Sequence, residues 1–156
     1  MKRSWHGVLS VGVVGLVAAA CATLAPKMSA DEAIAARQKL MKEQGAAMKS
    51  IQDKIKAGQA QAIGLDAQKL IETSKRIPTL FVTDAVNPKT SRAKPEIWQN
   101  WPKFENLAKT LESKATGLAA SSMIESAQAT TAAVGDLGKT TCGACHDAFR
   151  GPEIKK

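Results

Sequence analysis

Four stretches of the chain repeat apolar residues at helical spacing, and the pattern between them breaks at glycine and proline. In the first, Ile34, Met41, Met48 and Ile55 recur every seven residues, with Leu40, Ala47 and Ile51 widening the stripe. This spacing predicts a helix from Asp31 to Lys56, stopped by Gly58. A second helix is predicted from Asp66, as a capping residue, to Arg76; Leu70 and Ile71 point inward and Pro78 closes it. An irregular segment then runs from Pro78 to Trp98, punctuated by Pro78, Pro88 and Pro95. Loops of that length are uncommon in small domains and often sit beside a site. The third helix is expected from Trp101 to Gly117, with its start near Asn100 and Pro102 tolerated in the first turn. The fourth is expected from Ser122 to Arg150, ended by Gly151-Pro152. Four amphipathic helices with these connections predict an all-α, antiparallel four-helix bundle over residues 31–156.

Composition agrees with that reading. Among 156 residues, 44% are hydrophobic and 23% charged, a mix too apolar for a disordered tail and too charged for an integral membrane protein. Tyr is absent and β-branched residues are sparse, which favours helices over sheet. The first thirty residues stand apart. Lys2 and Arg3 precede an uncharged run from Gly7 to Ala20, long enough for the apolar region of an export signal and short of the ~20 residues that span a bilayer. Cleavage is expected after Ala22, where Ala20-Cys21-Ala22 reads small-x-small, or after Ala30. Cys21 also invites lipidation, although Ala18 stands where a lipobox carries Leu. The leader implies export to the periplasm and a mature chain with no integral membrane segment. Removing residues 1–30 takes away Lys2, Arg3 and Lys27, lowering the net charge from +8 to +5, and also removes His6 and Cys21. Two Cys and one His remain, all close together. Export and the lack of a basic cluster argue against nucleic-acid binding.

Those three residues form Cys142-Gly143-Ala144-Cys145-His146. In C-x-x-C-H, two thiols add across the vinyl groups of haem and the adjacent His becomes an axial iron ligand. Thiols three apart on a helix share one face and reach the two vinyls along one porphyrin edge. The alternatives are weaker. A redox dithiol normally opens a helix that follows a strand, and zinc needs four ligands where the chain offers two Cys, one His and carboxylates.

The chain resembles class II c-type cytochromes, the cytochrome c′ family. The likeness rests on Arg37-Gln38-x-Leu40-Met41-Lys42, on Pro95-x-Ile97-Trp98 followed by Phe104, and on Cys142-x-x-Cys145-His146-x-x-Phe149-Arg150. It implies one covalent haem c held by Cys142 and Cys145, with His146 on the iron. It also implies roles at the haem for Arg37 and Gln38, which would meet a propionate, and for Trp98, Phe104 and Phe149, which would wall the pocket. Arg150 is placed either at a propionate or against the helix dipole. Gly135 and Gly138, costly inside a helix, would be explained by close approach of the porphyrin or a neighbouring helix.

The sixth side of the iron decides the function. With no second His after processing, the candidates are Met41, Met48 and Met123. Met123 precedes His146 by about 35 Å of helix, and antiparallel packing puts Met41 nearer the haem level than Met48 by about 10 Å. Within the family, cytochromes c′ proper carry a non-coordinating apolar residue four after the first-helix Arg, and low-spin relatives carry a ligating Met there. Met41 follows Arg37 by four, so the resemblance points to the methionine-ligated branch, with Met48 as core. The leading expectation is therefore a periplasmic electron-transfer protein rather than an enzyme. It would have His146/Met41 ligation and transient redox partners, and family members often form homodimers. The alternative is a five-coordinate protein that binds nitric oxide or other small gases.

Overall fold

The computed structural model describes residues 28–81 and 85–154. Helix α1 spans Ala30–Lys56 and opens with a capping box. The Ser29 hydroxyl accepts the Glu32 amide, and the Glu32 carboxylate accepts the Ser29 amide at 2.8 Å. The leader lies outside the described residues except for its last three, and those bear on processing: a cut after Ala30 deletes the cap, whereas a cut after Ala22 keeps it. Gly58 adopts φ +72° just beyond the helix, a conformation that residues with a Cβ avoid, and so ends α1 as expected.

Helix α2 covers Gly64–Arg76, led in by a 3-10 turn at Ala60–Ile63. Asp66 does not cap it. The residue sits in the first turn and its carboxylate takes Lys54 Nζ at 2.6 Å, tying α2 to the end of α1. Buried Thr73 and Ser74 return their hydroxyls to the Lys69 and Ile71 carbonyls, so neither is left unpaired in the core.

The expected loop after Pro78 contains a 3-10 turn, Pro78–Leu80, and a one-turn helix α3, Glu96–Gln99. Helix α4 runs Trp101–Ser121, one turn longer than expected, and buries Phe104, Ala108, Leu111, Ala115 and Leu118 along one face. The last helix begins later than expected. A turn separates it from α4, and Ser126 caps α5 (Ala127–Leu137) by accepting the Ala129 amide at 3.2 Å. Helix α5 continues through a widened π turn, Gly138–Gly143, into α6, Ala144–Phe149. The three pieces form one carboxy-terminal column.

Four long helices thus make the bundle: α1, α2, α4 and the column. Helices α2 and α4 pack most closely, α1 lies on α2, and α5 lies on α4; α1 and the column scarcely meet. The core is filled by Leu40, Ile51, Ile63, Leu70 and Leu137, all nearly inaccessible to solvent. The seven-residue stripe of α1 therefore divides. Leu40, Ala47 and Ile51 enter the core, whereas Met41 and Met48 are only half-buried and face the gap beside the column. Among the described residues, no helix is long and apolar enough to cross a membrane.

Leu70 tests the core. Truncation to Ala should cost about 2–5 kcal/mol, because tightly packed α2 and α4 cannot collapse on the void. Denaturant unfolding of the haem-loaded protein measures it, and a loss well below that range would show a looser centre.

Candidate haem site

The column controls what faces the gap. At the π turn each hydrogen bond reaches one residue further than in an α-helix, which re-aims the following side chains. Thr141, buried inside this turn, donates its hydroxyl to the Leu137 carbonyl. A Cβ on Gly143 would lie 3.4 Å from the Gly138 carbonyl oxygen, at the near edge of ordinary contact. The close approach of a neighbouring helix expected at Gly135 and Gly138 is not found. A Cβ on Gly135 meets nothing within 4 Å, and on Gly138 only Met48 Cε at 3.9 Å, an ordinary contact. Gly138 instead opens the π turn.

Cys142 within that turn, and Cys145 and His146 past it, all line one cavity of about 570 Å³ between α1 and the column. Its volume is that of a site for a sizeable small molecule. Both thiols are free and half-buried; burial raises the Cys142 value and pushes Cys145 up to about 11. Burial thus disfavours both thiolates, the form that disulfide exchange needs. Burial, together with the charges of Arg150 and Arg92, holds His146 below the ordinary imidazole value, so it is neutral and has a nitrogen lone pair for a metal. Two thiols, one neutral imidazole and an apolar cavity match the donor set of a covalently held haem.

The remaining expected residues divide. Phe104 and Phe149 line the cavity and meet edge to face, with ring centroids 5.5 Å apart. Trp98 does not line it. Its indole N–H donates to the Phe81 carbonyl at 2.7 Å, and neighbouring Ile97 takes the wall position. Phe81, which no sequence pattern marked, lines the cavity and packs on Phe104 at 4.8 Å.

Arg37 is buried, at 4% exposure, and lines the cavity, but the protein itself compensates its charge. Nε donates to the Leu80 carbonyl at 2.7 Å and Nη1 to the Ala85 carbonyl at 2.9 Å, while the guanidinium lies 4.3 Å above the Phe81 ring. A propionate is thus not needed to account for its burial. Gln38 also reaches backbone, donating to the Thr90 carbonyl at 2.7 Å.

The long loop has a structural purpose at this end. Ala93 and Arg150 form an antiparallel bridge, the Gly151 amide donates to the Arg92 carbonyl at 2.7 Å, and Lys94 Nζ reaches the Ala148 carbonyl at 2.9 Å. These bonds clamp the end of α6 that carries His146.

Register places the methionines. Met48 stands beside Gly138. Seven residues back along α1 and seven onward along the antiparallel column bring Met41 level with Cys145 and His146. Met41 and Met48 both line the cavity, so Met48 is not plain core; Met123 is 78% exposed, outside the cavity.

The family profile described as Cytochrome C' matches residues 32–150. A cytochrome c′ of Rhodopseudomonas palustris is 34% identical over 124 residues, 76% of this chain and 82% of that protein. The chain belongs to the cytochrome c′ family. Its fold matches the crystal structure of cytochrome c′ from Thermochromatium tepidum with a TM-score of 0.67 and 28% identity, over 80% of this chain and 98% of the other. It also matches the nitric oxide complex of the L16I mutant of cytochrome c′ from Alcaligenes xylosoxidans, with a TM-score of 0.69 and 23% identity, over 80% and 98% of the two chains. This cytochrome c′ therefore carries one covalent haem c. The matches give no support to the low-spin, methionine-ligated branch expected from the Arg37–Met41 spacing, since each is described as a cytochrome c′.

Cys142 and Cys145 are the residues available for the covalent bonds. Replacing both by Ala should give a protein whose haem is removed by acid-acetone extraction, whereas the unaltered chain keeps it. Haem retained by the double variant would assign the attachment elsewhere.

Proposed function

We propose that this cytochrome c′ captures small neutral gases, nitric oxide foremost, on the haem face turned away from His146. The observation that carries this reading is the make-up of the cavity wall. It presents Ile34, Met41, Met48, Leu107 and Leu111, with Arg37, Lys42, Arg92 and Arg150 as its charged members. Among the described residues, no carboxylate and no second imidazole line it. Haem c supplies a ferrous iron able to take a diatomic molecule as an axial ligand. His146, a neutral imidazole kept in place by the clamp from Arg92 to Lys94, would hold the metal. The apolar part of the wall disfavours water, and the flexible Met41 and Met48 side chains yield to a small guest. The nitric oxide complex captured with the Alcaligenes xylosoxidans relative supports the same chemistry for this scaffold.

A second reading rests on one specific observation, the register of Met41 with His146. If the Met41 thioether occupies the sixth position, the protein carries electrons, and a mature charge of +5 steers it toward acidic redox partners.

Met41→Ala separates the two. Gas capture predicts that the variant keeps the ferric absorption spectrum of the parent and that carbon monoxide or nitric oxide associates faster with the reduced protein. Conversion of a low-spin spectrum to a high-spin one by Met41→Ala would establish the electron-carrier reading. Failure of the unaltered reduced protein to bind either gas would end the first.

A further inference from the structure

Inside a helix glycine is less stable than alanine, and α1 carries Gly45 near its middle. Backbone conformation does not call for it, since among the described residues only Gly58 is a glycine of positive φ. Nor does packing, because a Cβ on Gly45 would meet nothing within 4 Å. Gly117 and Gly135 share that freedom but stand outside the haem cavity, whereas Gly45 is exposed and lines it. What Gly45 supplies is open space against the cavity.

Its neighbours give that space a shape. Met41 stands four residues before Gly45 and Met48 three after, so the three share one stripe of α1, and all three line the cavity. Met48 reaches across the gap, its Cε 3.9 Å from the position of a Cβ on Gly138, and bounds the space on that side. Met41 bounds it on the other, about 6 Å along the helix axis, at the level of His146. The stripe therefore has a notch one side chain deep between two thioethers. Lys42, one turn before Gly45, is also exposed and lines the cavity, so the wall meets solvent at this notch.

We infer that the notch at Gly45 is the passage by which small gases reach the haem face opposite His146, and that residue 45 sets the size of guest admitted. This rests on the gas-capture reading and deepens it. Two flexible, apolar thioethers at its sides suit a neutral diatomic guest. An added methyl group at residue 45 narrows the passage, and a leucine side chain fills it.

The test mixes carbon monoxide, or the bulkier butyl isocyanide, with the reduced, haem-loaded protein and its Gly45→Ala, Gly45→Leu and Gly117→Leu variants. Gly117 is the control: it lies inside α4, is exposed, has open space around its Cβ position and does not line the cavity. Carbon monoxide should associate about tenfold more slowly with Gly45→Leu, a rise of about 1.4 kcal/mol in the barrier, with Gly45→Ala between it and the parent. Butyl isocyanide should be slowed more than carbon monoxide by both changes, and Gly117→Leu should alter neither rate. All three variants should melt no lower than the parent, since each replaces glycine by a better helix former. Parent-like rates in both Gly45 variants, or equal slowing by Gly117→Leu, would overturn the passage and leave gas capture standing. Absence of any adduct in the unaltered protein would overturn both.

Discussion

Because α2 and α4 make the closest pairing in the bundle, α1 and the carboxy-terminal column are carried on either side of them and never close on each other. The gap left between them is the haem cavity, and its two walls have opposite chemistry. The column supplies Cys142, Cys145 and His146, while α1 supplies mainly apolar and neutral side chains. Aromatic contacts hold the end of the gap. Phe104 touches Phe81, Trp101 and Phe149, linking α4 to the loop and to the helix that bears His146. Were α1 to pack directly on the column, the thiols and imidazole would face side chains instead of a cofactor.

Much of this was legible in the residues. The bundle, the stop at Gly58 and the helix carrying Cys142 to His146 follow from periodicity and local chemistry. So does the placing of Met41 nearer the haem than Met48. What escaped has physical reasons. Periodicity shows that α1 has an apolar stripe but not that the stripe serves two neighbours, so Met48 passed for core. Arg37 donates to the main-chain carbonyls of Leu80 and Ala85, and a backbone oxygen leaves no trace in residue identity. The same holds for Trp98, whose indole N–H goes to the Phe81 carbonyl. The π turn changes the register inside a helix that reads as continuous; its one available signal was the pair Gly138 and Gly143, five apart around Thr141.

The clamp from Arg92 to Lys94 connects fold to chemistry. It ties a long loop to the carbonyl end of α6 and brings Arg92 and Arg150 near His146, where their charges oppose protonation of the imidazole. A neutral His146 suits metal ligation, and the same cations offer counter-charges for the haem carboxylates. The long loop, whose length already suggested a place beside a site, therefore helps to position His146 and adds Arg92 to the burial that disfavours its protonation.

The proposed function requires an iron held by His146 alone, with Met41 and Met48 in the facing wall left off the metal. Low-temperature electron spin resonance of the ferric, haem-loaded protein reads that arrangement directly. A high-spin signal is predicted. A wholly low-spin signal of the imidazole–thioether type would contradict it and put Met41 on the metal.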